Sequence, residues 1–256
     1  HIRHHLWDVQ NKECDYYGVI WLFRRFALLI KSFVAGPWQT NCYLVAPARN
    51  SECIIVDPGQ NALPGIKEVI AEQNLKPVAV LVTHGHLDHM WSVFPVASGY
   101  DIPAFIHGSD RHLLSDPGAG LSAQTRAMLP ELVGKDDVFS EPSEVVEVRD
   151  RLDLNVAGIK FIVRHTPGHT AGSVIFVADE AQQTVFTGDT LFAGAIGRTD
   201  LPGSSPQDMN TSLRDVIMNL PIDANIYPGH GPSTRMDVEL RSNQYLARVS
   251  QGLSAT

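Results

Sequence analysis

The chain has 256 residues, 44% of them hydrophobic and 19% charged, enough apolar material for one large core and a size at which one domain is favoured over two. Its formal charge is −8, and an acidic, evenly mixed chain lacks the basic stripe that a phosphate backbone demands, which excludes nucleic acid as the default partner. Cys14, Cys42 and Cys53 are odd in number and lack metal-knuckle spacing, so no disulfide framework is expected and the composition suits a reducing, cytoplasmic compartment.

Residues 1 to 25 read as an extension of unassigned role, and His1, His4 and His5 within it are set aside as ligands. The apolar run Val19–Phe23 is cut by Arg24 and Arg25 before Phe26–Ile30, short of the roughly twenty apolar residues that a membrane helix needs. No small-residue cleavage pattern follows it, so neither a membrane span nor a secretory signal is expected. Residues 26 to 256 are expected to form one domain.

From Leu28 the pattern is regular. Apolar runs at Leu28–Val34, Asn41–Ala46 and Cys53–Val56, separated by turn-forming residues, predict a β-meander. The third run ends in Asp57-Pro58-Gly59, where Asp57 either caps a turn or orients a metal-bound imidazole. Leu63, Ile66, Val69 and Ile70 stand at helical spacing, and the apolar run Val78–Val82 follows. Strand, helix and strand in this order predict a crossover packed on a sheet face.

That last strand runs into Thr83-His84-Gly85-His86-Leu87-Asp88-His89. Three imidazoles and a carboxylate presented from one rigid strand end are ligands that Zn²⁺, Fe²⁺ and Mn²⁺ accept. A helix is expected over Leu87–Ser98, with Asp88 in its first turn, where the helix dipole favours an anion.

Beyond this cluster, Ile102–His107 reads as a strand, and a loop-rich, partly helical stretch runs from Gly108 to about Lys135. His107 and His112 have no ligand neighbours in sequence and read as ordinary histidines. The acidic run Glu141–Asp150 reads as a solvated face. Strands are then predicted at Ile159–His165, Gly172–Val177 and Thr184–Thr187. Three Gly-bounded turns each offer one ligand-type side chain: His169 in Pro167-Gly168-His169, Asp189 in Gly188-Asp189, and His230 in Pro228-Gly229-His230-Gly231. The chain divides into two sheet-rich halves, roughly 26 to 130 and 140 to 256, and two sheets face to face with helices outside would bury this much apolar strand.

With Asp57, the His84-to-His89 cluster, His169, Asp189 and His230 in this order, the chain from Leu28 onward resembles the metallo-β-lactamase-fold hydrolases. The resemblance implies an α/β fold, an αββα sandwich of two mixed sheets, with the metals at one edge between them. It implies two divalent ions, zinc in the first place, with iron and manganese as alternatives. His84, His86 and His169 resemble the ligands of the first ion, Asp88, His89 and His230 those of the second, and Asp189 the bridging carboxylate. An Asp in place of Cys there points away from the antibiotic-degrading enzymes that use a thiolate. Phe186–Phe192 and Gly197-Arg198-Thr199-Asp200 are most similar to the glyoxalase II group, and Pro228–Pro232 favours the hydrolases over the related persulfide dioxygenases. Only 26 residues follow His230, with Met236–Val249 able to supply one helix, so the likeness is to a short branch without the added helical domain that holds glutathione.

The activity this resemblance implies is hydrolysis of a small-molecule thioester or ester by a metal-bridging hydroxide that Asp88 helps to steer. Activity should fall in mild acid as the ligating imidazoles protonate. Asp57 gains weight as the partner of a ligating imidazole, while Arg198 either meets an anionic substrate group or pairs with Asp200. The competing readings are a mononuclear iron persulfide dioxygenase and a hydrolase of other esters or lactones. A closed structural metal site is disfavoured, because the donors lack cysteine and exceed the need of one ion. Composition and motif assign no oligomeric state.

Overall fold

A computed structural model describes residues 27–134, 137–179 and 183–255, so the expected N-terminal extension lies outside the described residues. Strands β1 (Leu29–Ala35), β2 (Thr40–Ala46) and β3 (Glu52–Val56) form the predicted antiparallel meander. Helix α1 (Ala62–Gln73) then crosses to β4 (Lys76–Leu81), which lies parallel to β3. Pro64 is tolerated in the first turn of α1, where its missing N–H has no partner to lose. The helix stops at Asn74, whose left-handed conformation returns its N–H to the Ile70 carbonyl.

The single helix expected over Leu87–Ser98 is two pieces, α2 (Leu87–Met90) and α3 (Val93–Tyr100). The break has a tertiary cause. Ser92 N–H donates to the Pro58 carbonyl at 2.9 Å and its hydroxyl to the Gly59 carbonyl at 2.7 Å, so the turn after Asp57 takes the place of the next helical bond.

Strand β5 (Ala104–His107), helix α4 (Ala123–Leu132) and strand β6 (Val145–Val148) complete the first half. Because β6 pairs in parallel with β5, this half extends through Val148 instead of closing near residue 130. The acidic run Glu141–Asp150 is therefore partly an edge strand. Arg111 bridges Glu141 at 2.7 Å and Glu147 at 2.9 Å, and such charges blunt an exposed sheet edge.

The second half holds β7 (Asp153–Val156), β8 (Ile159–His165), β9 (Val174–Ala178) and β10 (Thr184–Gly188). A small hairpin follows, β11 (Leu191–Phe192) with β12 (Ala195–Ile196), then α5 (Pro206–Asp215), β13 (Asn225–Pro228) and β14 (Thr234–Arg235). The expected C-terminal helix is bent into α6 (Met236–Ser242) and α7 (Gln244–Ser250). Asn243 sits at the bend, and its side-chain oxygen accepts from the N–H groups of Tyr245 and Leu246.

Two six-stranded sheets result, ordered β1-β2-β3-β4-β5-β6 and β14-β13-β10-β9-β8-β7. The inner strands β2, β3, β9 and β10 read as continuous apolar runs because both faces are covered. Along β3, Cys53 and Ile55 face α1 and α3, while Ile54 and Val56 meet Phe161, Phe176 and Phe186 of the other sheet. Along β9, Val174 and Phe176 point inward, and Ile175 and Val177 pack under α5, α6 and α7. Three apolar layers alternate with two sheets, which is the expected αββα sandwich. No helix among the described residues is long and apolar enough to cross a membrane.

Candidate metal centre

Every predicted donor leaves a strand end at one edge of the sandwich. Asp57 follows β3, the His84-to-His89 segment follows β4, and His169 lies between β8 and β9. Asp189 follows β10 and His230 follows β13. The Leu87 side chain is buried at the start of α2, and the His86 carbonyl accepts from the N–H groups of His89 and Met90. The chain thus switches from extended at His86 to helical at Leu87, which brings Asp88 and His89 up to His230 while the His89 ring stays 4.1 Å from that of His84.

The side chains converge in three groups whose nitrogen and oxygen atoms lie within 4.8 Å of one another. His84, His86 and His169 form one, Asp88, His89 and His230 another, and His84, His89 and Asp189 a third between them. His86 Nδ1 faces His169 Nε2 at 2.8 Å, and His89 Nε2 faces His230 Nε2 at 3.2 Å. Asp189 is 3.3 Å from His89, 3.4 Å from His169 and 3.5 Å from His230. His107 and His112 stay apart, as expected, with His107 stacked on His165 at 4.1 Å.

This donor set fits a metal. Buried His84 Nε2, His86 Nε2 and Asp189 Oδ1 have no hydrogen-bond partner, and buried polar atoms are rarely left so. Burial, then the neighbouring imidazoles, push His84 well down and His86 to about 3, which keeps their lone pairs free. His89 moves the other way. Burial opposes its charge, but Asp88, Asp189 and Asp57 together raise it, and His230 is likewise raised, against its burial, by Asp88 and Asp189. Asp88 and Asp189 stay low despite burial because His89 and His230 face them. A buried region with this many carboxylates demands positive charge, and a cation among them would provide it.

Three of the imidazoles are also fixed from behind. His89 Nδ1 donates to Asp57 at 2.9 Å, so Asp57 holds a ring of the cluster as well as its own turn. His84 Nδ1 lies 3.1 Å from the Thr83 hydroxyl, which itself donates to Asp57 at 2.7 Å. His169 Nδ1 donates to the Arg198 carbonyl at 2.8 Å. Such bonds select the tautomer that leaves the other nitrogen able to ligate. Of the two roles open to the Arg198 guanidinium, the structure shows the ion pair, with two bonds to Asp200 at 2.6 and 2.7 Å.

Several supporting residues escaped sequence reading. Thr40 donates to Asp88 at 2.9 Å, and the Asn41 amide donates to the carbonyls of Pro228 and Gly231 at 3.0 and 2.8 Å, which pins the His230 turn to β2. The signal was a polar pair heading a strand that is buried throughout. Asp110 escaped it too, having no ligand-type neighbour in sequence beyond His107 and His112. Gly229 has no room for a side chain, because a Cβ would run into Asp189 Oδ1 and the His89 ring. In front of the donors lies a cleft of about 230 Å³, walled by Trp38, Leu121, Thr125 and Leu201, with Arg198 at its rim.

A family model described as the metallo-beta-lactamase superfamily matches residues 35–230, a span that contains every donor. "Uncharacterized protein Rv2581c" of Mycobacterium tuberculosis is 41% identical over 229 residues, 88% of this chain and 100% of that protein. The "Probable metallo-hydrolase YqgX" of Bacillus subtilis is 33% identical, covering 82% and 94%. The hydroxyacylglutathione hydrolase GloC of Haemophilus influenzae is 34% identical over 82% of this chain and 93% of its own. Among solved structures, the BLEG-1 B3 metallo-beta-lactamase superposes with a TM-score of 0.74 at 34% identity, covering 85% and 99%. TTHA1623 in a di-iron-bound form gives 0.70 at 32%, covering 84% and 99%.

Proposed function

The chain belongs to the metallo-β-lactamase superfamily, generally metal-dependent hydrolases, and from that premise we propose that it is a binuclear thioesterase of the glyoxalase II type, releasing a hydroxy acid and a thiol from an S-2-hydroxyacyl thioester. The observation that carries this reading is the pair of donor groups on either side of Asp189. His84, His86 and His169 would hold one divalent ion and Asp88, His89 and His230 the other, with Asp189 between them. Zinc suits these nitrogen and oxygen donors, and iron or manganese would also be accepted.

When bound, the two ions supply Lewis acidity that polarises a carbonyl and makes hydroxide available near neutral pH, without a Ser or Cys nucleophile. Asp88 borders the cleft, accepts from Thr40 and is held in its ionised form, which suits it to orienting the attacking water. The Arg198 carbonyl keeps the His169 ring turned into the site. Trp38, Leu121 and Leu201 shed water from the acyl group, a condition that strengthens every charge interaction inside the cleft.

The glyoxalase assignment draws on GloC, whose name describes a thioester hydrolase. The match spans 93% of that protein, so the likeness extends over nearly all of a chain that bears that name. The reading takes a small molecule as partner, not nucleic acid or membrane, and a cytoplasmic setting. Burial raises the thiols of Cys42 and Cys53, the latter to about 12, leaving both protonated and unreactive.

The test is a hydrolase screen of protein with measured metal content, using S-lactoylglutathione, a neutral thioester, lactones, phosphodiesters and a β-lactam. Two metals per chain with thioester turnover is the expected result. Failure of every ester-class substrate with two metals bound overturns the reading, and one iron per chain with oxygen uptake on a persulfide replaces it with the dioxygenase.

A further inference from the structure

We propose that Asp110 is a positioning residue for the His84, His86 and His169 group, holding in one register the two loops that carry those rings; the inference rests on the assignment of that group as a metal site. Asp110 lies three residues beyond β5 and is 1% exposed. Its Oδ2 accepts from Gly85 N–H at 2.8 Å and from the Thr170 hydroxyl at 2.6 Å, and its Oδ1 accepts from Gly172 N–H at 2.7 Å. Gly85 stands between His84 and His86, and Thr170 follows His169. One carboxylate therefore joins the loop leaving the first sheet to the loop leaving the second, at the point where their imidazoles meet.

All three donors are neutral, so the carboxylate is held by directed hydrogen bonds and not by a neighbouring cation. The fit is close. A Cβ on Gly172 would stand 2.5 Å from the Asp110 carboxyl carbon, so that loop reaches the carboxylate only as glycine. Two sheets packed through apolar side chains can slide by fractions of an ångström at small cost, but a three-His site tolerates little such movement. Asp110 and the bond from Val174 N–H to the Thr83 carbonyl, 2.8 Å, oppose that slide. Asp57 plays the matching part for the other group, through His89. Asp57 and Asp110 follow β3 and β5, the parallel neighbours on either side of β4, whose end carries the donors.

An amide cannot replace this carboxylate. Both oxygens accept from backbone N–H groups, and in Asp110→Asn one of them becomes an NH₂ facing a donor. The test is zinc competition titration against a chromophoric chelator on the full chain, with single-site backgrounds to resolve the two groups. His230→Ala isolates the first group and His169→Ala the second. Asp110→Asn is expected to weaken zinc by about 10-fold or more in the His230→Ala background and to leave it unchanged in the His169→Ala background. Thr170→Val, which loses only the 2.6 Å bond, is expected to show a smaller loss confined to the same group, and it carries the comparison if Asp110→Asn does not fold. Equal loss in both backgrounds, or none in either, overturns the proposal. A wild-type chain that binds no zinc instead overturns the metal-site assignment on which it rests.

Discussion

His89 Nδ1 donates to Asp57 Oδ2 at 2.9 Å, while the other oxygen of the same carboxylate accepts from Thr83 N–H at 2.8 Å. One buried acid thus fixes both an imidazole and the end of the strand that delivers it. Asp57 adopts a left-handed backbone, φ 48°, which an Asp tolerates better than most residues and which a purely space-filling side chain would not favour. Replacing Asp57 with Ala is expected to lower metal content or turnover roughly 10- to 100-fold. Metal analysis beside initial rates checks this, and unchanged values would reduce Asp57 to a turn cap.

Acid should act on the two groups in sequence. His89 and His230 are raised by the carboxylates around them, so protons compete with metal there first as pH falls. His84 and His86 are lowered and keep their lone pairs longer. Metal per chain measured between pH 8 and pH 5 is expected to fall in two steps, with activity lost on the first. Simultaneous release, or a flat activity profile, contradicts this.

The metal-free chain carries a related dependence. A histidine lowered from 6.5 to about 3, as His86 is, takes up its proton in the unfolded chain before the folded one. The stability it contributes is therefore full above pH 6.5 and lost as pH falls towards 3. His89, raised, has the opposite sign: its contribution is full below its ordinary value and lost as pH rises through the raised one. Urea midpoints of the chelator-treated protein should decline steadily from pH 6 downward, and a constant midpoint would refute the assignment.

Gly229→Ala places a methyl against Asp189 and the His89 ring. Because the damage is local to a turn, the circular dichroism spectrum should stay native while zinc binding falls at both groups. Wild-type zinc stoichiometry in this variant would show that the turn can yield.

Arg198 is 61% exposed and tied to an Asp200 that is 68% exposed, an arrangement that adds little to stability. Asp200→Ala is expected to leave the melting temperature within a degree or so and to free the guanidinium. The KM for a thioester with a carboxylate on its carrier should then drop, while that for a neutral thioester stays put. Equal KM changes for both substrates would place Arg198 outside substrate contact.

The strands and donors were legible because their signals are local. An apolar run followed by a Gly-bounded turn and a ligand-type side chain is complete within a few residues, and His84, His169, Asp189 and His230 each follow that pattern. Where a distant partner set the outcome, local reading failed. The helix after His89 breaks because Ser92 bonds to Pro58 and Gly59, and β6 belongs to the first sheet because its backbone pairs with β5.

By itself, the order of residues marked which side chains are candidate metal donors, that they stand at strand ends, and that two sheets must cover one another to bury their apolar faces. The tertiary structure brings together the groups around Asp189 that the family resemblance implied, and it alone decided that Thr40, Asp110 and the Arg198 carbonyl hold them in place. The physical reason is range. Residue type and turn chemistry act over a few positions, whereas ligand geometry at the ångström scale arises from hydrogen bonds between segments that meet only when the two sheets close.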